Sequence, residues 1–201
     1  MSDVLSEREV GGGAPQATGG LATDHWLDAG FSLLARNGPM AFSEASLCAY
    51  LRKEPSALLL HFESWDAYVE ALVERWRVLH VRRVFEEIAT KGDQTVKLQA
   101  SVLAANLDLE RAMRAWAVSD ERVSAALHVV DLKRMQYLER LARRQIKDRA
   151  FARQVARLEY AAFIGAVSLF RDLPRQRRTE LGVIHAQSIA LLIDAHRDDP
   201  A

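Results

Sequence analysis

Residues 26–62 read WLDAGFSLLARNGPMAFSEASLCAYLRKEPSALLLHF. Trp26, Leu27, Gly30, Phe31, Leu33 and Leu34 repeat at helical spacing, with Asp24 and Asp28 toward the N-terminal end, where carboxylates favour the helix dipole. Asn37-Gly38-Pro39 stops that helix, because glycine takes a left-handed cap and proline cannot extend it. Ser43 can cap a second, short helix running through Tyr50. Pro55 suits the first turn of a third, where its missing N–H is not needed. Ser64 can cap a long fourth helix, whose apolar positions Trp65, Tyr68, Val69, Leu72, Val73, Trp76, Leu79 and Val84 keep a 3–4 spacing. Helix, loop, short helix, tight connection, short helix is the shape of a helix-turn-helix unit.

Outward from this stretch the chain stays helical. Lys91-Gly92-Asp93 interrupts the pattern, and further helical segments are expected at about 95–108, 110–118, 121–145, 148–171 and 176–195, with Asp120 and Pro174 at boundaries. No β-branched alternation suggests a strand. The expected fold is all-α: an N-terminal three-helix helix-turn-helix head (21–64), then a larger helical domain (65–201). Residues 1–20 hold five of the ten glycines and Pro15, and read as a flexible tail.

Lys plus Arg equals Asp plus Glu, 27 against 27, which excludes a basic arm or acidic tail dominating the molecule. A single cysteine, Cys48, excludes an intramolecular disulfide; at an apolar position of the second helix it reads as a small buried hydrophobe. The longest strongly apolar uncharged stretches, Tyr160–Phe170 and Leu181–Ile193, are shorter than the roughly 18–20 residues a membrane span needs. The first residues carry acids rather than a positive-then-apolar leader, so the expected location is cytoplasmic.

Trp26–Phe42, Ser43–Phe62 with its closing His61-Phe62, and the long helix opening at Ser64 together resemble the TetR/AcrR family of bacterial regulators. RAMRAWAVSDERVSAALHVVDLKRMQYLERLARRQ (Arg111–Gln145) is similar to the ligand-domain segment of one large subgroup, so the resemblance spans most of 24–195. It implies a homodimeric, ligand-responsive transcriptional repressor that binds a double-stranded DNA operator and is released by a small, mainly apolar effector. The candidate DNA-binding residues are Ser43, Arg52, Lys53, Ser56, Ala57 and His61, with Ser43 on the backbone and Ser56 and Ala57 at base edges.

The chain departs from the family at several of these positions. Arg52 stands where the turn glycine is usual, Leu59 where a phosphate-contacting tyrosine is usual, and Trp65 in place of a lysine. A left-handed Arg costs roughly 1–2 kcal/mol, so the turn is expected to be built differently. Residues 21–62 carry three cations against four carboxylates, close to neutral for a surface meant to meet phosphates.

In the family, long helices enclose an effector cavity; the residues that fall there are Trp76, His80, Met113, Trp116, Met135, Tyr137 and Phe163, with Arg114, His80 and His128 as candidate polar contacts. Aromatic and Met residues at helical spacing are also ordinary core. Val155, Leu158, Ala162, Gly165, Ala166 and Leu169 form one stripe, and Leu181, Ile184, Ser188, Leu191 and Leu192 another. By resemblance these stripes pair with their copies in a four-helix dimer interface. Arg134, Arg140, Arg143, Arg144 and Lys147 read as a solvated helix face.

No H-E-x-x-H, Glu-x-x-His, G-x-S-x-G, phosphate loop or dinucleotide fingerprint occurs, and neither metal site, cofactor nor catalysis is implied. The second reading is a dimer of the same kind whose degenerate head binds a small molecule or partner without specific DNA recognition. The third is an enzyme in a helical bundle.

Overall fold

A computed structural model describes residues 18–89 and 106–198. They form α1 (Thr18–Asn37), a 3₁₀ turn (Pro39–Ala41), α2 (Glu44–Leu51), α3 (Pro55–Leu59), α4 (Trp65–Ala89), α5 (Leu107–Trp116), α6 (Glu121–Ala142), α7 (Arg149–Leu169) and α8 (Arg175–Asp198). The fold is all-α; the described residues include no strand. None of these helices is long and apolar enough to cross a membrane. The expected tail over 1–17 and the helix expected to open near 95 lie outside the described residues.

The caps are local chemistry. Ser43 and Ser46 make a reciprocal capping box at the start of α2: Ser46 N–H donates to Ser43 Oγ (3.2 Å) and Ser43 N–H to Ser46 Oγ (2.9 Å). Ser64 Oγ accepts from Ala67 N–H (3.1 Å) at the start of α4. Asp120 and Asp148 accept backbone N–H groups at the starts of α6 and α7. Gly38, at φ 72°, takes a backbone conformation that a side chain would strain.

Two helix starts differ from expectation. α1 begins at Thr18, inside the expected tail; once a helix is nucleated, each added residue gains a hydrogen bond, which carries it through Gly19 and Gly20. Asp24 and Asp28 therefore lie beyond the first turn of α1, and both meet Arg75 of α4 instead of the helix dipole. α5 begins at Leu107 rather than 110, because Asn106 Oδ1 accepts Leu109 N–H at 3.0 Å.

One apolar core runs through α1–α6. Leu34, Leu47, Leu58, Leu72, Trp76, Met113, Val123 and Val130 are buried in it, so helices on both sides of the expected boundary at 64 share one interior. Tyr68 is its hinge pin: Trp65 stacks on it, Phe62 meets it edge-on, and its hydroxyl donates to the Trp26 carbonyl at 3.0 Å. Burial pushes the Tyr68 phenol above its ordinary pKa. Trp116, at the end of α5, meets Phe42 edge-on with ring centroids 5.3 Å apart, tying α5 to the segment that leads into α2.

A smaller core joins the end of α6, the start of α7 and the C-terminal half of α8 through Ile146, Ala152, Val155, Ile189 and Ile193. His196 stacks on Phe151 (3.7 Å between centroids), and His185 Nε2 lies 3.0 Å from Glu159.

Candidate functional site

α2 and α3 are joined by three residues. Arg52 closes α2 at φ 54°, ψ 46°, the left-handed region. Lys53 N–H reaches back to the Cys48 carbonyl at 2.9 Å, the six-to-one bond that a left-handed residue permits. The turn is therefore the usual one made with an unusual residue, which corrects the expectation of a different construction: the closing hydrogen bond compensates the steric cost that glycine would avoid. Arg52→Gly should stabilise the fold by roughly 1 kcal/mol, the left-handed penalty less the extra freedom of glycine in the unfolded chain. Urea unfolding at fixed protein concentration measures it; unchanged or lower stability would mean that Arg52 is held by contacts of its own.

Arg52 and Lys53 are exposed, and neither has an ion-pair partner among the described residues. α3 follows with Pro55 at its first position. Its inward side carries Leu58, fully buried, and Ala57, half-buried against the core. Ala57 thus does not face outward as expected: it is adjacent to Leu58 on a helix that must bury one face. His61 also turns inward, half-buried beside Trp26 with rings 6.3 Å apart. The outward face is Ser56, Leu59 and Leu60, at i, i+3 and i+4, with the two leucines 56% and 81% exposed. Ser43 is exposed at the start of α2 with its hydroxyl engaged in the capping box. The six predicted residues thus divide: Ser43, Arg52, Lys53 and Ser56 are exposed, whereas Ala57 and His61 pack inward. Leu60 was missed, and its exposure is not readable from a run of three leucines.

The predicted effector residues lie on α4 (Trp76, His80), α5 (Met113, Trp116), α6 (Met135, Tyr137) and α7 (Phe163). Trp76 and Met113 are fully buried in the main core. His80 lies one turn beyond Trp76, its ring 4.5 Å away and its Nδ1 2.8 Å from the Trp76 carbonyl. The Trp76 indole N–H is buried without a hydrogen-bond partner among the described residues. Trp116 packs on Phe42, Tyr137 is buried, Met135 and Phe163 are half-buried, and His128 is exposed. A groove of about 380 Å³ lies between α4 and α6 along Val73, Arg77, Arg122, Ala126 and Val129, and none of the predicted effector residues lines it.

A buried charge cluster was not foreseen. Glu110 of α5 is 4% exposed. Arg134 of α6 donates to both its oxygens (2.9 and 3.0 Å), and Arg114 Nε to one (3.0 Å). Arg114 also forks onto Asp131 (2.7 and 3.2 Å), and Tyr160 of α7 donates to Asp131 at 2.6 Å. Burial pushes the Glu110 carboxyl up, but the Arg134 hydrogen bond and the charges of Arg134, Arg114 and His80 outweigh it and hold the pKa below its ordinary value. Arg134 therefore leaves the solvated basic face expected of it, because its side of α6 meets Glu110. Arg140, Arg143, Arg144 and Lys147 are exposed. The i,i+4 spacing of Glu110 and Arg114 was the available signal; their partners on other helices were not.

α7 and α8 leave apolar side chains uncovered. Leu158, Leu169, Leu181, Ile184 and Leu191 are exposed, as is Ser188; Ala162 and Gly165 are partly covered. Cys48 is buried, which pushes its thiol pKa up together with the nearby Glu44 and Glu54 charges.

No protein-family model and no curated protein matches the chain. Among solved structures, it is similar to the reduced form of NemR from E. coli, at 17% identity and TM-score 0.66, over 84% of this chain and 97% of that one. It is also similar to a Pseudomonas aeruginosa PAO1 protein provisionally designated a transcriptional regulator, at 16% identity and TM-score 0.60, over 88% and 92% of the two chains. At these identities the likeness is one of fold.

Proposed function

We propose that this chain is a homodimeric transcriptional regulator, acting as a repressor, whose α2–α3 unit binds a DNA operator and releases it when a small, mainly apolar effector binds the helical core. The observation that carries the reading is the α2–α3 arrangement: a capped α2, a turn presenting unpaired Arg52 and Lys53, and a short α3 with an exposed outward face. The designation of the Pseudomonas neighbour as a regulator agrees with it. In the mechanism, Arg52 and Lys53 meet phosphates, Ser43 positions the backbone contact, and the outward face of α3 reads the major groove.

The uncovered stripes of α7 and α8 support pairing with a second copy, which would set two α3 helices about 34–36 Å apart on a pseudo-palindrome. The unsatisfied Trp76 indole N–H supports an effector carrying a hydrogen-bond acceptor, since a buried donor costs free energy until it is paired. α5 supplies the route between core and head, because it holds the charge cluster at Glu110 and Arg114 and touches Phe42 through Trp116. Effector and operator would oppose each other by the same factor, with a coupling of about 1–3 kcal/mol. The reading assigns no catalysis and a cytoplasmic location.

Fluorescence anisotropy on the DNA upstream of the chain's own gene, at two salt concentrations with a scrambled competitor, tests this reading. Saturable binding that resists the competitor is expected. Sequence-blind binding would favour the second reading, a helical dimer whose head no longer recognises DNA, to which the apolar Leu59 and Leu60 on α3 lend weight. Arg52→Ala with Lys53→Ala should weaken binding to every duplex and flatten its salt dependence by about two phosphate contacts. An unchanged salt slope would remove these residues from the DNA backbone.

A further inference from the structure

The outward face of α3 is mainly apolar, and that limits what it can read. Ser56, Leu59 and Leu60 share the face, and neither leucine packs on the core. Two exposed leucines can neither donate nor accept, so they contribute nothing to hydrogen-bonded readout of guanine, adenine or cytosine edges. In the major groove the apolar group a base pair presents is the thymine C5-methyl. The face is taken to meet a duplex because Arg52 and Lys53, exposed in the turn that opens α3 beside the exposed carboxylate of Glu54, are the cations the DNA-binding reading sets against phosphates. We infer that Leu59 and Leu60 are specificity-determining residues that select thymine methyl groups in the operator. This inference rests on the DNA-binding reading and names what the site recognises.

Each methyl group buried against a leucine is worth about a fourfold gain in affinity, from about 0.8 kcal/mol per buried apolar carbon. The DNA that tests this is the upstream fragment synthesised twice, once with thymidine and once with deoxyuridine, which lacks only the methyl. The wild-type chain is expected to bind the uracil fragment roughly fourfold to fifteenfold more weakly, for one or two methyl groups. Leu59→Ala with Leu60→Ala removes only exposed side chains, so the fold should survive, as circular dichroism would verify. That variant should bind the thymine fragment as weakly as the uracil one. Losing the difference in the variant assigns it to the leucines rather than to altered duplex shape.

Equal wild-type affinity for the two fragments, with competitor-resistant binding intact, overturns the inference and leaves the regulator reading standing. It would mark the leucine pair as a surface for another protein. A uracil penalty that persists unchanged in the double variant also overturns it. Absence of competitor-resistant binding on the thymine fragment itself overturns the regulator reading, and this inference with it.

Discussion

Glu110→Gln is expected to destabilise the protein by roughly 3 kcal/mol, the low end of the cost of breaking a buried ion pair, since the amide oxygen can still accept one bond. The carboxylate receives Arg134 on both oxygens and Arg114 on one, across α5 and α6, in a site that water barely reaches. Neutralising it leaves two guanidinium groups against Asp131 alone. At constant protein concentration the melting temperature should fall by roughly 6–12 °C. Acid should do to the wild type what the substitution does directly. The folded-state pKa of Glu110 lies below the unfolded value of about 4.3, so its stabilisation is complete above that pH and is lost as pH falls through the folded value. Urea midpoints between pH 6 and pH 3 should therefore drop less steeply in Glu110→Gln than in the wild type. A loss under about 1 kcal/mol, with parallel pH profiles, would show that the cluster is as well solvated as an ordinary surface pair.

The second large effect concerns a single methyl group. Gly30 lies where α1 passes over α4, and a Cβ there would sit 2.1 Å from Tyr68 Oη and 3.1 Å from Leu72 Cδ1. Gly30→Ala must push Tyr68 off the Trp26 carbonyl and disturb the Trp65 and Phe62 rings packed on it. Overpacking costs about 1–3 kcal/mol, and the lost buried hydrogen bond adds about 1. Against that, alanine favours the helix by about 1 kcal/mol over glycine. A net loss of about 2 kcal/mol is expected. Combining it with Tyr68→Phe removes the atom in the way, so the double variant should lose less than the sum of the two single losses. Strict additivity in a thermal-melt cycle would mean that the hydroxyl is not what excludes the side chain.

Some of this molecule was legible residue by residue. Ser43, Ser64, Asp120 and Pro55 marked helix starts, and Asn37-Gly38-Pro39 marked a stop. Gly30 fell correctly on the buried stripe of α1, but nothing local revealed that Tyr68, thirty-eight positions later, requires its bareness. Arg52 looked wrong for a left-handed turn on propensity alone and adopts it all the same. Arg134 looked like one of five solvated cations and proved to be the one bound to Glu110. Ala57 packs inward where a base contact was expected, since a five-residue helix is too short for periodicity to say which side is buried.

By itself the sequence determined that the chain is helical and where most helices begin and stop, because caps, breakers and apolar spacing act within a few residues of one another. Only the tertiary structure decided which face of α3 meets solvent, which arginines are buried with carboxylates, and where a glycine cannot be replaced. Each of those depends on a partner far along the chain: Glu110 on Arg134, Gly30 on Tyr68, Trp116 on Phe42. Burial and low dielectric give such pairs their strength, and both exist only after the helices have packed.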